Sequence, residues 1–562
     1  MSEKLPLTHP SPSPSPPPRS TRSRLLPLLL LLLPALYLTT TTYPLTSLLP
    51  HPTSQPLRAD KGASCPLQVE PLNVGKDWRP EEDNKYVEKA VERLRGAVRI
   101  PTESYDNMNP DPSKEPRFEI LTKLHDYLEE TFPLLHNKLD LEKVSTYGLL
   151  YTWPGSSPSL KPLVLMAHQD VVPVNKDTLD RWTYPPFEAH LDQEGWVWGR
   201  GSADCKNTLV GILAAIEKLV EEGWEPTRTI IVSSGFDEEI GGRRSALPLS
   251  DTLLTRYGQN GISLILDEGF TGVDVAYNRT FARLGMAEKG AVSVTIEVLT
   301  EGGHSSVPPR HTGIGILSLL LVELEKNPDT PKLRRGNPML CYLNCAADFG
   351  EVEEGLKRRI RSEKEWQGLG EELAEGDPIL RAFLGTTQAV DLVQGGIKVN
   401  ALPEYATATS NYRIDFLSSV HSTLSRLSSI LSPVVHSLNM TFDSYGSHAN
   451  VSNNVVRLKM VKDSGIEPAP ITPSEGKAWE FMSGSVRGVW RDAVVAPSAM
   501  IANTDTKWTW NLTTNIYRFV PGSLELIKNF HTVDERIHTD AHISGIRFFH
   551  TLLRNTKGWT AD

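Results

Sequence analysis

His168 and Asp170 follow Leu163-Val164-Leu165-Met166-Ala167, an apolar run with the length and composition of a buried strand. Ligands in open α/β sheets bind beyond the carboxyl ends of the strands. A metal-capable imidazole and a carboxylate therefore arrive together where a site would form. The pattern recurs twice: Thr229–Ser233 runs into Asp237-Glu238-Glu239, and Ile262–Leu266 runs into Asp267-Glu268. Either carboxylate of that last pair could ligate, and Asp267 directly follows the strand. Trp198-Gly-Arg-Gly-Ser-Ala-Asp204-Cys205-Lys206-Asn207 precedes a strongly apolar helix. Its glycines permit tight backbone beside a ligand, and its ending differs from the Gly-Lys-Ser/Thr of a phosphate loop. Near the C-terminus, His531 stands in Phe530-His531-Thr-Val-Asp534-Glu535-Arg536, with His538 and His542 competing for the same role.

Neutral imidazole binds zinc well, and a ligating histidine donates its other N–H to an acceptor that fixes the ring. Asp170 is placed to be that acceptor for His168. The two oxygens of Asp204 could bridge two ions. Of two adjacent glutamates, one can bind metal while the other handles the proton of a bound water. Two histidines and three carboxylates suit a dinuclear zinc centre, whose paired ions activate water and polarise a carbonyl. Magnesium prefers oxygen ligands and water, against two histidines.

The motifs that carry this chemistry, taken in order, resemble the di-zinc aminoacylase/carboxypeptidase metallopeptidases, most closely the fungal carboxypeptidase S branch. They are His168-Gln-Asp-Val-Val-Pro, Gly199-Arg-Gly-Ser-Ala-Asp-Cys-Lys, Asp237-Glu-Glu-Ile-Gly-Gly, Leu266-Asp-Glu-Gly, Gly302-Gly-His-Ser-Ser and His531-Thr-Val-Asp-Glu-Arg-Ile, within about residues 75–560. The resemblance implies two zinc ions per subunit. Asp204 would bridge them, Glu239 and His531 would hold one, and His168 and Asp267 the other. Glu238 would be the general base, Asp170 would orient His168, and the Asp204–Cys205 peptide would be cis. On the substrate side it implies His304 as a lid histidine, Asn400 and Arg413 near the substrate carboxylate, and Gly522 close by. It implies hydrolysis of the last peptide bond of small peptides. The same centre would equally serve an N-acyl-amino-acid hydrolase. Because every ligand position and the base are filled, a catalytically silent binding protein is disfavoured.

The elements that must position these residues fall into two styles. Strands alternating with helices over 76–286 imply a mixed, mostly parallel sheet flanked by helices. Residues 287–447 read as strand, helix, strands, helix, strand, a small α+β ferredoxin-like lid of the kind through which relatives dimerise, with a charged insertion at 327–394. Residues 448–562 return to the catalytic domain. At 562 residues, more than one core is expected.

A net charge of −10 and the lack of a dense basic stripe argue against nucleic acid as a partner. Residues 1–24 read as a Pro/Ser-rich disordered cytosolic tail, 25–49 as a signal anchor, and 50–75 as a Pro-rich stalk linker. That layout describes a single-pass type II membrane protein of the secretory pathway, and the resemblance places its enzyme in the vacuole lumen. Sequons at Asn278, Asn439, Asn450 and Asn511 are consistent with glycosylation there. There are 4 cysteines, too few for a disulfide scaffold. Cys341 and Cys345 could pair or stay free.

Overall fold

The computed structural model describes residues 65–75, 77–448 and 450–560. The expected tail, the anchor and residues 50–64 of the expected stalk lie outside them. Among the described residues no helix is long and apolar enough to cross a membrane.

A nine-stranded mixed sheet forms the larger layer. Its centre is parallel, in the spatial order Ile230–Ser234, Leu163–Met166, Leu264–Asp267, Ile516–Arg518. Antiparallel pairs flank that centre, and the edge strand Val494–Met500 again runs parallel to its neighbour Arg279–Glu288, which makes the sheet mixed as expected. Side chains alternate between faces with period two. Leu163, Leu165, Ile230, Val232, Leu264 and Leu266 join the core under helices Lys206–Glu221 and Thr539–Asn555. Val164, Met166, Ile231 and Ile265 join the opposite core with Leu249 and Leu253 of helix Ala246–Tyr257. Helix Lys206–Glu221 buries Leu209, Val210, Ile212, Leu213, Ile216 and Leu219. Each such side chain contributes roughly 1.5–3 kcal/mol, which holds the helix's N-terminal loop rigidly over the strand ends.

The smaller layer is a five-stranded sheet in the order Thr387–Gly395, Tyr405–Ile414, Gly290–Leu299, Val455–Met460, Thr441–Ser444. Helices Gly313–Lys326 and Val420–Ser437 cover it. Four of its strands and both helices follow the ferredoxin-like order. Pairing runs on to Met460, past the expected boundary at 447, because Val455–Met460 lies antiparallel to Gly290–Leu299.

The 327–394 stretch divides. Its last residues form the lid edge strand. Its helix Pro338–Phe349 packs on the larger layer at strand Val494–Met500, with Tyr342 edge-to-face on Phe281 at 5.5 Å, and the helices after it pack on one another. Residues 65–75 are no free linker. Gln68 exchanges two hydrogen bonds with the backbone of Val495, at 2.9 and 2.8 Å, and so satisfies part of an edge strand. Leu72 N–H donates to the Gly484 carbonyl at 2.8 Å. Cys345 pairs with Cys65 across a Cα–Cα distance of 4.6 Å, while Cys341, one turn earlier on the same helix, is free.

Two buried histidines, His542 in the C-terminal helix and His125, whose Nε2 lies 2.8 Å from Gln169 Oε1 beside His168, are expected to give the fold an acid limit. Burial pushes His125 and His542 down to about 4. A depressed histidine pKa means the folded state holds the neutral ring. Its stabilising contribution is complete above the unfolded value of about 6.5 and is lost as pH falls from there to about 4. The expected loss is roughly 3 kcal/mol per histidine over that window. Thermal unfolding of the chain and of His542→Leu across pH 4 to 7 checks this. The variant should have the flatter profile, and parallel profiles would refute the assignment.

Candidate dinuclear metal centre

Five separate segments, carrying His168, Asp204, Glu238-Glu239, Glu268 and His531, meet at the carboxyl ends of the central strands. His168 is buried at the end of its strand. Its Nδ1 lies 2.9 Å from the Asp170 carbonyl and 3.3 Å from Asp170 Oδ1. The Asp170 carboxylate also accepts the Ser104 hydroxyl at 2.6 Å and the backbone N–H groups of Glu238 and Glu239 at 3.1 and 3.2 Å. One buried carboxylate thus orients the His168 ring and fixes the loop that carries both glutamates.

The other ring nitrogen of His168 lies 3.1 Å from Asp204 Oδ1 and 3.3 Å from Glu268 Oε1. His531 Nε2 lies 3.0 Å from Asp204 Oδ2 and 3.2 Å from Glu239 Oε2. Asp204 therefore turns one oxygen toward each histidine, and a second carboxylate completes each triad. Donor atoms bound at about 2.0–2.1 Å to one tetrahedral ion stand about 3.3 Å apart, so these spacings fit a cation in each triad. Charge points the same way. Asp204, Glu238, Glu239 and Glu268 share an enclosed site with two imidazoles, and buried charge requires a partner. Burial raises the Asp204 carboxyl, but hydrogen bonds to His168 and His531 outweigh it and hold the group well below the usual range. Bonds to Asp204 and Glu239 push His531 up to about 10, and burial pushes Glu268 up to about 8. Burial also holds the Cys205 thiol well above its ordinary value, with His168 N–H donating to its sulfur at 3.3 Å.

The resemblance implied Asp267 beside His168, and the structure places Glu268 there, at 3.3 Å. Asp267 ends its strand near Glu288, Arg518 and Asp505, lining one small pocket with His168 and Glu268, and burial raises it to about 6. Strand alternation returns the next side chain, Glu268, to the Asp204 side. The signal for Glu268 was in the sequence, but choosing it needed the facing of the strand. His538 and His542 do not join the cluster: His538 bonds the Glu194 carbonyl and His542 is buried in its helix. The Asp204–Cys205 peptide is cis, as the resemblance implied.

A cleft opens on the centre, lined by Asp204, Glu238, Glu268 and His531 and, on its apolar side, by Phe270, Met500, Val520 and Phe530. Asn503, also in the lining, accepts a hydrogen bond from Arg413 at 3.2 Å, so one lid cation reaches the rim. Sequence reasoning passed over Asn503 and Phe270, which no ligand pattern marks. His304 and Asn400 are exposed neighbours on a ribbon pairing Gly303-His304 with Ala401-Leu402. Among the described residues they make no hydrogen bond to the centre. Gly522 lies two positions beyond Val520, its carbonyl accepting Val273 N–H at 3.0 Å. All four sequon asparagines are exposed.

The chain is 38% identical over 548 residues to carboxypeptidase S of Saccharomyces cerevisiae, covering 93% of this chain and 94% of that one. It is 31% identical over 474 residues to the N-fatty-acyl-amino acid synthase/hydrolase of Mus musculus, covering 83% and 87%. The fold matches an M20 family metallo-carboxypeptidase from Sulfolobus solfataricus with a TM-score of 0.57 at 18% identity, over 83% of this chain and 99% of that one. Residues 164–555 match peptidase family M20/M25/M40, and the chain belongs to that family.

Proposed function

We propose that the chain is a metal-dependent carboxypeptidase that removes the C-terminal residue of small peptides. The observation that carries it is the pair of Asp204 oxygens, each within 3.1 Å of a different histidine at the mouth of the cleft, in a chain so similar to carboxypeptidase S. His168, Asp204 and Glu268 would hold one divalent ion and His531, Asp204 and Glu239 the other. The mixed imidazole–carboxylate donors favour zinc. When bound, such ions make water acidic near neutral pH and polarise a carbonyl.

Glu238 lines the cleft beside both triads, and its backbone is pinned to Asp170. Burial and the Glu268 charge push its carboxyl well above the ordinary range, toward the basicity a proton carrier needs near neutrality. Glu238 takes a proton from the attacking water and returns it to the leaving amine. Arg413, steered by Asn503, faces the side from which a substrate carboxylate would be clamped. His304, Asn400 and Gly522 act in substrate binding on this reading, and His304 and Asn400 require the lid ribbon to approach the cleft. A homodimer through the lid, glycosylation at the four asparagines and a membrane-anchored vacuolar location belong to the same proposal.

A second reading, hydrolysis of N-acyl amino acids, is favoured by one observation, the apolar wall of Phe270, Met500, Val520 and Phe530. The test assays a dipeptide panel and N-acyl amino acids side by side, with and without chelator. Peptides should be turned over faster, and chelation should abolish both activities. Preference for the acyl substrates would select the second reading, and chelator-insensitive turnover would refute both.

A further inference from the structure

Asp204 sits in a loop with no regular ladder to hold it. Gly199, Arg200, Gly201, Ser202 and Ala203 turn sharply before helix Lys206–Glu221, with Gly201 at φ +87°. A single side chain from the far end of the chain gathers this turn. Glu535, 0% exposed, accepts backbone N–H bonds at Oε1 from Gly201 and Ala203 at 2.9 Å and from Asp204 at 3.1 Å. Its Oε2 accepts Arg200 Nη1 at 2.6 Å, and its carbonyl accepts Gly199 N–H at 2.8 Å. The pairing of Arg536–His538 with Trp196–Trp198 continues the same zipper. Converging N–H groups in a turn form an anion cradle. Here the cradle is filled from within the protein. Burying a carboxylate is costly unless its oxygens are satisfied, and both are.

Glu535 follows His531 by four residues yet is 331 residues from Asp204 in sequence. We propose that Glu535 is a positioning residue for the metal centre: it sets the spacing between the bridging Asp204 and His531, and so the fit of both ions. The inference rests on the metal-centre reading given above. Residues that orient ligands typically cost 10–100-fold in metal affinity when removed. Oε1 takes all three backbone bonds, so an amide oxygen in that place keeps the cradle and loses only the Arg200 pairing.

The test uses the full chain and the variants E535A, E535Q and E535D, with metal content and affinity measured by Zn²⁺ and Co²⁺ titration. The Co²⁺ absorption spectrum and the thermal midpoint in chelator are recorded alongside. E535A should bind metal about 10- to 100-fold more weakly with a changed Co²⁺ spectrum. E535Q should recover most of the affinity. E535D, charged but one methylene short, should not, which keeps the test decisive if E535A fails to fold. E535A or E535D with wild-type affinity and spectrum, or E535Q no tighter than E535D, would overturn the proposal and leave Glu535 a brace for the fold alone. Wild-type chain that binds no metal would instead strike down the metal-centre reading itself, a distinct outcome.

Discussion

Glu238→Gln is expected to retain both metal ions and to lose about 10²- to 10⁴-fold in kcat, the usual contribution of a general base. That corresponds to roughly 3–5 kcal/mol of transition-state stabilisation. The amide has the same shape, and the backbone N–H bond from residue 238 to Asp170 survives the change. What disappears is the proton acceptor. Glu238 lies within 4.8 Å of His168 and Glu239, so metal content must be measured along with rate. Two ions and no turnover support the role. Near-normal turnover would sink it. Loss of an ion would make Glu238 a ligand rather than a base.

Glu268→Ala should reduce metal content from two ions to one per chain and lower kcat/KM by roughly 10³-fold, the scale of several kcal/mol of charge stabilisation lost with one ion. Asp267→Asn should keep both ions and change kcat/KM less than about tenfold, since Glu268 and not Asp267 stands in the group of donor atoms around His168 and Asp204. The pair decides between adjacent carboxylates that local pattern cannot separate. Elemental analysis of both purified variants checks it. Metal loss in Asp267→Asn with retention in Glu268→Ala would reverse the assignment.

Much of the centre was legible without coordinates. His168, Asp204 and Glu239 each stand at the end of an apolar run or in a glycine-marked loop, His531 was one of three competing histidines singled out by the resemblance, and the structure brings all four together. Elements with clean periodicity were legible too. The alternation of Ala291–Val298 becomes strand Gly290–Leu299, and the apolar run from Thr208 to Val220 becomes helix Lys206–Glu221. Strand Arg279–Glu288 was missed because arginines interrupt its apolar residues, and Arg283 pairs with Asp274 of the neighbouring strand. The helices of 338–384 were obscured by their charge and punctuation, and only the docking of the first of them on Val494–Met500 shows their purpose.

By itself, then, the order of residues determined which chemistry the protein carries, because metal ligands must be histidine and carboxylate and strand ends must be preceded by apolar runs. Tertiary structure decided which carboxylate of an adjacent pair stands beside His168, which cysteine finds Cys65, and which residue of the smaller layer reaches the cleft rim. Those choices depend on the face a side chain takes and on partners hundreds of residues away. Neither property is encoded within a local window, since both arise only when the sheet closes and its edges are covered.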